Sequence, residues 1–194
     1  PYVPWLVLTA IFATYVNIGT YWTYIELASL DAGVSSEWIG RVLVWSALCS
    51  ILGCVTAAAI SSRFGLARPL LLTLVAQAMV VLMLAGGVDD TRVMVSIFGF
   101  NFLWMFTDIY QMSTVAGVDP TGRFAALVPG AQGVGQIVGP NIAATMLAAG
   151  VAYSGVFVLC AAASLAAMAL YLGMHLRLRR VTTSLSATPG VSHV

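Results

Sequence analysis

Two acidic side chains, Glu26 and Asp108, occur inside stretches that are otherwise apolar. A carboxylate within a membrane span is costly to bury and by default marks a pathway for solutes or a proton relay. Asp108 is predicted to bind and release a proton, or to serve as the counter-ion of a cationic substrate. Two structural alternatives stay open: Glu26 reaches water at a helix end, and Asp108 pairs with an arginine on another helix.

Further polar and aromatic side chains share helix faces, because residues three and four apart lie on one side of a helix. Asn101, Trp104 and Gln111 share a face with Asp108, whereas Asn17, Tyr21 and Tyr24 share a face that Glu26, opposite Asn17, does not join. Packing, anchoring at the membrane surface and hydrogen bonding between helices are alternative roles for them. The candidate residues for substrate or coupling are Asp108, Asn101, Trp104 and Gln111, then Asn17, Tyr21, Tyr24 and Glu26, and finally Gln132 and Gln136.

No catalytic constellation is present in the sequence. His175 and His193 form no cluster, and the three cysteines lie in apolar stretches without a metal-binding spacing. There is no Ser-His-Asp set and no phosphate-binding loop. We therefore expect no enzyme, no catalytic residue, no metal and no cofactor, and the net charge of +1 gives no reason to expect a nucleic-acid partner.

The composition predicts that these residues are positioned by helices in a lipid bilayer. Hydrophobic residues make up 60% of the chain and charged residues only 8%, whereas soluble domains carry about 25% charged residues. Since a span needs roughly 20 residues, the 194-residue chain has room for six. They are predicted at 4–30, 37–60, 68–87, 92–117, 123–149 and 151–176, followed by a polar, disordered cytoplasmic tail at 177–194.

The arginines predict the orientation of these spans. One set of loops carries six of them with a single acid, and the other set carries two with four acids. Because short arginine-rich loops stay in the cytoplasm, both termini are predicted to be cytoplasmic in a multi-pass protein of the cell membrane, specifically a bacterial inner membrane. The first set is Arg63, Arg68, Arg123, Arg177, Arg179 and Arg180 with Asp119, and the second is Arg41 and Arg92 with Asp31, Glu37, Asp89 and Asp90.

An internal repeat appears when the sequence is aligned with itself at an offset of 82 residues. Each half then holds three helices, 1–87 and 88–176, and because three is odd the second triplet must be inverted. Coincidence among Ala-, Leu- and Val-rich helices is the alternative. The aligned pairs are Trp22 with Trp104, Glu26 with Asp108, Glu37 with Asp119, Gly40 with Gly122, Arg41 with Arg123, and Gly53 with Gly135.

Helix character follows the repeat. The first and fourth helices carry the polar residues and are predicted to line a wet cavity. The third and sixth are aliphatic and are predicted to face lipid. The second and fifth are predicted to pack closely through small residues, which are Ser46, Ser50, Gly53 and Ala57, then Gly130, Gly133, Gly135 and Gly139.

Two motifs resemble those of the major facilitator superfamily. Residues 58–68 read AAISSRFGLAR and are similar to the loop signature G-x-x-x-D-R-x-G-R-R, with Arg63, Gly65 and Arg68 retained and Ser62 at the acidic position. Residues 135–144 read GQIVGPNIAA and are similar to the helix pattern G-x-x-x-G-P-x-x-G-G. Gly135, Gly139 and Pro140 carry that similarity.

This resemblance implies an all-α membrane fold of two inverted three-helix repeats, forming the C-terminal half of a twelve-helix transporter. Its partners would be the bilayer, a small-molecule substrate and the N-terminal six-helix half. The implied function is secondary active transport by alternating access, with or without coupling to protons. The alternatives are that the chain is the N-terminal half, or that it is a six-helix sensor or scaffold that transports nothing.

Overall fold

The computed structural model describes residues 2–186, and their side chains except those of 61–62 and 179–186. Every regular element in this part of the chain is helical, which confirms the predicted all-α class. The helices are α1 (Val3–Asp31), α2 (Ser36–Phe64), α3 (Ala67–Ala85), α4 (Asp90–Val118), α5 (Val128–Ala148) and α6 (Tyr153–Ser186), with a 3-10 turn at Ala125–Leu127.

Five of these helices are long and apolar enough to cross a membrane: α1, α2 as far as Ile60, α3, α4, and α6 as far as Leu178. At 21 residues, α5 is also long enough for the hydrocarbon core of a bilayer, about 30 Å thick. It is more polar than the others because it carries Gln132, Gln136 and Asn141. The chain thus has the helices expected of a multi-pass membrane protein.

Two helix boundaries differ from the prediction. α5 begins at Val128 and not at residue 123, because the carboxylate of Asp119 accepts hydrogen bonds from the backbone N–H groups of Phe124 (2.6 Å) and Ala125 (2.9 Å) and holds the intervening segment in a turn. α6 continues to Ser186, so the first ten residues of the predicted disordered tail are helical. The rest of that tail, 187–194 with His193, lies outside the described residues.

The helices pack around the pair formed by α1 and α4. α1 packs against α5 and α6, α4 packs against α2 and α3, and α3 packs against α6. α1 and α4 are antiparallel, since Tyr15 contacts Asp108 while Tyr21, farther along α1, contacts the earlier residue Ser96. The core therefore lies between α1, α3, α4 and α6.

The prediction that the third and sixth helices simply face lipid is wrong. In their membrane-spanning windows 44% of the α3 residues and 39% of the α6 residues are buried, but only 17% of those in α2. α3 and α6 bury their aliphatic side chains against each other, where the Ser164 hydroxyl donates to the carbonyl oxygen of Leu74 at 2.8 Å. The most exposed of these spans is α2, which packs through one stripe of residues.

Three of the small residues predicted to allow close packing, one on α2 and two on α5, lie directly against a neighbouring helix. A methyl group added to Gly53 would overlap the carbonyl oxygen of Phe102 on α4, and one added to Gly139 would overlap the carbonyl oxygen of Val16 on α1. Gly135 lies equally close to the backbone of α1. A methyl group added to Gly130 or Gly133, by contrast, would have no neighbour within 4 Å. Glycine allows such close helix approach because it has no side chain.

The arginine-rich segments meet at one end of the bundle. The guanidinium of Arg177 lies 5.4 Å from the ring centre of Tyr2, and the rings of Trp5 and Phe124 contact edge to face at 5.3 Å. These contacts bring the start of α1, the segment before α5 and the later part of α6 together. We call this the arginine-rich end; the other, with Asp31, Asp89 and Asp90, is the acidic end.

Candidate functional site

The carboxylate of Asp108 on α4 is bound by the hydroxyl of Tyr15 on α1. The hydroxyl lies 3.0 Å from one carboxylate oxygen and 2.9 Å from the other. Tyr15 is buried, and Asp108 is half-buried. Among the described side chains Asp108 forms no ion pair, since the two that occur there are Arg41 with Glu37 and Arg92 with Asp89.

This acid lies well inside its helix. Ten residues separate Asp108 from the end of α4 at Val118, which is about 15 Å along a helix. Glu26 is exposed and lies eleven residues beyond Tyr15 on α1, about 16 Å toward the acidic end. The two carboxylates are therefore not part of one site, although the sequence repeat aligns them.

Asn101 joins α4 to α2. Its amide nitrogen donates to the hydroxyl of Ser46 at 2.7 Å, and its amide oxygen accepts from the hydroxyl of Ser50 at 3.0 Å. Because both ends of this buried amide are engaged, Asn101 serves to hold the two helices together. Ser46 and Ser50 were predicted only as small residues, not as hydrogen-bonding partners.

Beside this clamp lies a shallow hollow of about 290 Å³, which we call the tryptophan groove. The rings of Trp22 and Trp104 meet there with their centres 6.0 Å apart. Trp104 is one helical turn before Asp108 on α4, so the carboxylate lies one turn along the helix from the groove. The lining residues are Trp22, Leu43, Ser46, Ala47, Ser50, Asn101 and Trp104.

The structure separates Asn17 and Gln111 from the open side of the bundle. The Gln111 amide nitrogen donates to the hydroxyl of Thr14 at 2.7 Å, within the α1–α4 interface. Asn17 is fully buried, and neither its amide oxygen nor its amide nitrogen has a hydrogen-bond partner in the described part of the chain. The antiparallel register places Asn17 between the Tyr15 and Tyr21 contacts, inside the core. Asn17 therefore does not line the tryptophan groove.

The two candidate tyrosines also have structural partners. Tyr21 is fully buried, shares a hydrogen bond with Ser96 at 2.7 Å, and stacks on Phe100 with ring centres 3.8 Å apart. Tyr24 donates to the carbonyl oxygen of Pro140 on α5 at 3.1 Å. Residues predicted to share one face of α1 thus contact different neighbouring helices.

The polar residues of α5 lie near its proline. Pro140 has no N–H, so the carbonyl oxygen of Gln136 lacks its usual partner within the helix. That part of the backbone lies against Gly19 of α1, where an added methyl would come within 2.7 Å of the Gln136 α-carbon. The side chains of Gln132 and Gln136 form no hydrogen bond with any described residue, so the alternative role of hydrogen bonding between helices is not observed for them.

The loop-motif residues lie at the arginine-rich end. Gly65 ends α2 with a φ of +69°, a backbone conformation that favours glycine. Arg63 and Arg68 are exposed, and neither forms an ion pair with a described acidic side chain.

Of the residues predicted for substrate or coupling, Asn101 and Trp104 line the tryptophan groove, and Asp108 lies one helical turn beyond Trp104 on α4. Tyr15 was missed because its position relative to Asp108 depends on how α1 and α4 pair. The described residues contain no group of three His, Cys, Asp or Glu side chains suited to a metal ion. Cys49, Cys54 and Cys160 are free thiols.

No protein-family model, no curated protein and no solved structure matches this chain. The resemblance to the major facilitator superfamily therefore depends on the residues of the two motifs.

Proposed function

We propose that this chain is the C-terminal six-helix half of a secondary active transporter of the major facilitator superfamily, moving a small solute by alternating access. The observation that carries the proposal is the carboxylate of Asp108, which lies inside a span beside an open groove and has no cationic partner among the described side chains. An acidic group is costly to bury inside a membrane and by default marks a pathway or relay.

The packing of the helices supports two inverted repeats. In this interpretation α1 corresponds to α4, α2 to α5 and α3 to α6. The packing of α1 on α5 then has its counterpart in the packing of α4 on α2. The packing of α1 on α6 has its counterpart in the packing of α4 on α3. The contacts of α1 with α4 and of α3 with α6 are unchanged by this correspondence. The antiparallel direction of α1 and α4 agrees with inversion.

Close backbone contacts support a register for the two proposed repeats. Gly53 approaches the carbonyl of Phe102 as Gly139 approaches the carbonyl of Val16, and the glycines and their partners are each 86 residues apart. The first residues of α3 and α6, Ala67 and Tyr153, differ by the same number. This offset exceeds the 82 of the sequence alignment by four residues, about one helical turn. The aligned polar pairs therefore mark similar helix faces but not equivalent depths.

The pair Tyr15 and Asp108 suits proton coupling. The Tyr15 hydroxyl stabilises the ionised carboxylate, because a hydrogen bond to a charged acceptor is stronger than one to a neutral acceptor. Protonation of Asp108 weakens that bond and so loosens a contact between the two central helices. A proton, or a cationic solute in the tryptophan groove, would thereby be linked to the relative position of α1 and α4.

The exposed faces of α2 and α5 are proposed to be covered by lipid and by the N-terminal six-helix half.

The arginine-rich end is proposed to face the cytoplasm of a bacterial inner membrane, with both termini on that side. Single cysteines in place of Arg123 and Asp90, in a variant lacking the native cysteines, should be labelled from opposite sides of the membrane. Labelling of both from one side would contradict this topology.

The transport proposal is tested with the intact protein in liposomes. Candidate solutes are screened for accumulation driven by a pH gradient, and Asp108→Asn is compared with Glu26→Gln, the exposed acid of α1. We expect Asp108→Asn to abolish accumulation yet retain solute exchange if the role is coupling, and Glu26→Gln to transport normally. For a cationic solute held by Asp108, binding should weaken by about tenfold, or ~1.4 kcal/mol.

Amounts of folded protein in the membrane must be equal for all variants. Normal accumulation by Asp108→Asn would contradict a role in coupling or charge recognition. Failure of the intact protein to bind or move any solute would favour the sensor or scaffold alternative.

A further inference from the structure

A cleft of about 330 Å³ opens between the last turns of α2, the first turns of α3 and Phe106 in the middle of α4. Its volume is at the lower end of the range for small-ligand pockets, about 300–1,000 Å³. Its lining is apolar except for Arg68 and Thr73. The residues are Ile60, Phe64, Arg68, Pro69, Leu72, Thr73 and Phe106.

The wall of this cleft offers almost no free hydrogen-bonding group. The hydroxyl of Thr73 donates to the carbonyl oxygen of Pro69 at 2.6 Å, which uses its only hydrogen. Pro69 has no N–H to donate. The Phe106 ring is held by stacking on Tyr110, with ring centres 4.9 Å apart. The cleft therefore fits a hydrocarbon chain better than a polar solute.

The cationic side chain at the cleft differs from those at the acidic end. Arg41 and Arg92 each have an acidic partner, Glu37 at 4.0 Å and Asp89 at 3.3 Å. Arg68 lines the cleft and has no such partner among the described side chains. Arg63, exposed in the last turn of α2, is likewise unpaired there. The cleft thus combines an apolar interior with positive charge that is not neutralised by the described part of the chain.

We propose that this cleft binds one acyl chain of an anionic phospholipid, whose phosphate is bound by the guanidinium of Arg68. Arginine presents a fork of N–H donors that matches phosphate oxygens. Basic pockets between membrane helices are suited to anionic head groups. Phe64 and Leu72, which are 59% and 70% exposed, would contact the chain at the mouth of the cleft. This site is separate from Asp108 and does not depend on transport.

The test uses the intact protein in mild detergent, titrated with phosphatidylglycerol or phosphatidylcholine and measured by native mass spectrometry. We expect phosphatidylglycerol to bind about tenfold more tightly, or ~1.4 kcal/mol. Arg68→Gln should remove this preference. Arg123→Gln, which removes an exposed arginine at the same end but outside the cleft, should retain it. Leu72→Trp should weaken both lipids by filling the mouth of the cleft.

Several results would overturn the proposal. Equal losses in Arg68→Gln and Arg123→Gln would indicate general surface charge, and unchanged binding by Leu72→Trp would place the acyl chain elsewhere. Displacement of the lipid by inorganic phosphate would indicate a phosphate site. A measurement on the unaltered protein decides the matter if a variant does not fold: phosphatidylglycerol with a photoreactive acyl chain should crosslink to residues of the cleft, and adducts confined to other helices would exclude it.

Discussion

The hydroxyl of Tyr15 on α1 lies within hydrogen-bond distance of both carboxylate oxygens of Asp108 on α4, 93 residues away in the sequence. This contact joins the two central helices near the open groove. It gives an acid within a membrane span a polar partner while leaving it without a cation among the described side chains.

Removal of the Tyr15 hydroxyl should therefore destabilise the fold. We expect Tyr15→Phe to lower the free energy of unfolding by about 1.5–3 kcal/mol, as for hydrogen bonds to charged groups. Thermal unfolding in detergent measures the loss. In an Asp108→Ala background the same substitution should have little effect, so a double-mutant cycle isolates the contact. Tyr153→Phe, at a hydroxyl without a described partner, is the control, and an equal loss there would argue against a specific bond.

Glycine contacts should be sensitive to a single methyl group. Gly139→Ala would place that group on the carbonyl oxygen of Val16, and overpacking of this kind costs about 1–3 kcal/mol. Gly133→Ala changes the same helix by the same atoms where no neighbour lies within 4 Å, so its unfolding temperature should be unchanged. Equal stability of the two variants would show that α5 does not pack on α1 in this manner.

Replacement by an apolar residue should lower the stability of the protein at one buried amide and not at another. Asn101→Leu should destabilise, because it breaks the bonds to Ser46 and Ser50. Gln77→Leu should leave stability unchanged or raise it, because neither polar atom of the fully buried Gln77 side chain has a described partner and a buried polar group without one costs about 1–3 kcal/mol. Unfolding in detergent would compare them. A large loss in Gln77→Leu would reveal hydrogen bonds, such as those to internal water.

The turn before α5 should be sensitive to pH through Asp119. Burial opposes ionisation of this carboxyl, but hydrogen bonds from the backbone of Ala125, the Thr121 hydroxyl and the backbone of Phe124 hold its pKa below the usual range. The resulting stabilisation is present above the ordinary pKa of about 3.9 and is lost as the pH falls through the lower folded value.

Asp119→Ala should accordingly be less stable than the unaltered protein at neutral pH, with a difference that shrinks in acid. Unfolding temperatures across the acidic range measure this. A constant deficit for Asp119→Ala at every pH would argue against the ionised contact.

Much of the fold was predictable because a membrane span needs a long apolar run, and such runs are visible in the sequence. Which aliphatic helices pack inside the bundle and which face lipid could not be predicted, because α3 and α6 offer the same side chains to a neighbouring helix that they would offer to lipid. The start of α5 was missed because Asp119 acts through a turn several residues away. Asp108 stood out as an acid in an apolar stretch, whereas the role of Tyr15 depended on the antiparallel pairing of α1 with α4.

Contacts made through the main chain lead to an evolutionary expectation. Gly53 touches the carbonyl oxygen of Phe102, and that oxygen is present whatever side chain occupies position 102. Natural variation should therefore be one-sided, with many residue types accepted at position 102 and glycine retained at position 53. A set of homologous sequences that varies freely at 53 would indicate that α2 has moved away from α4 in those proteins.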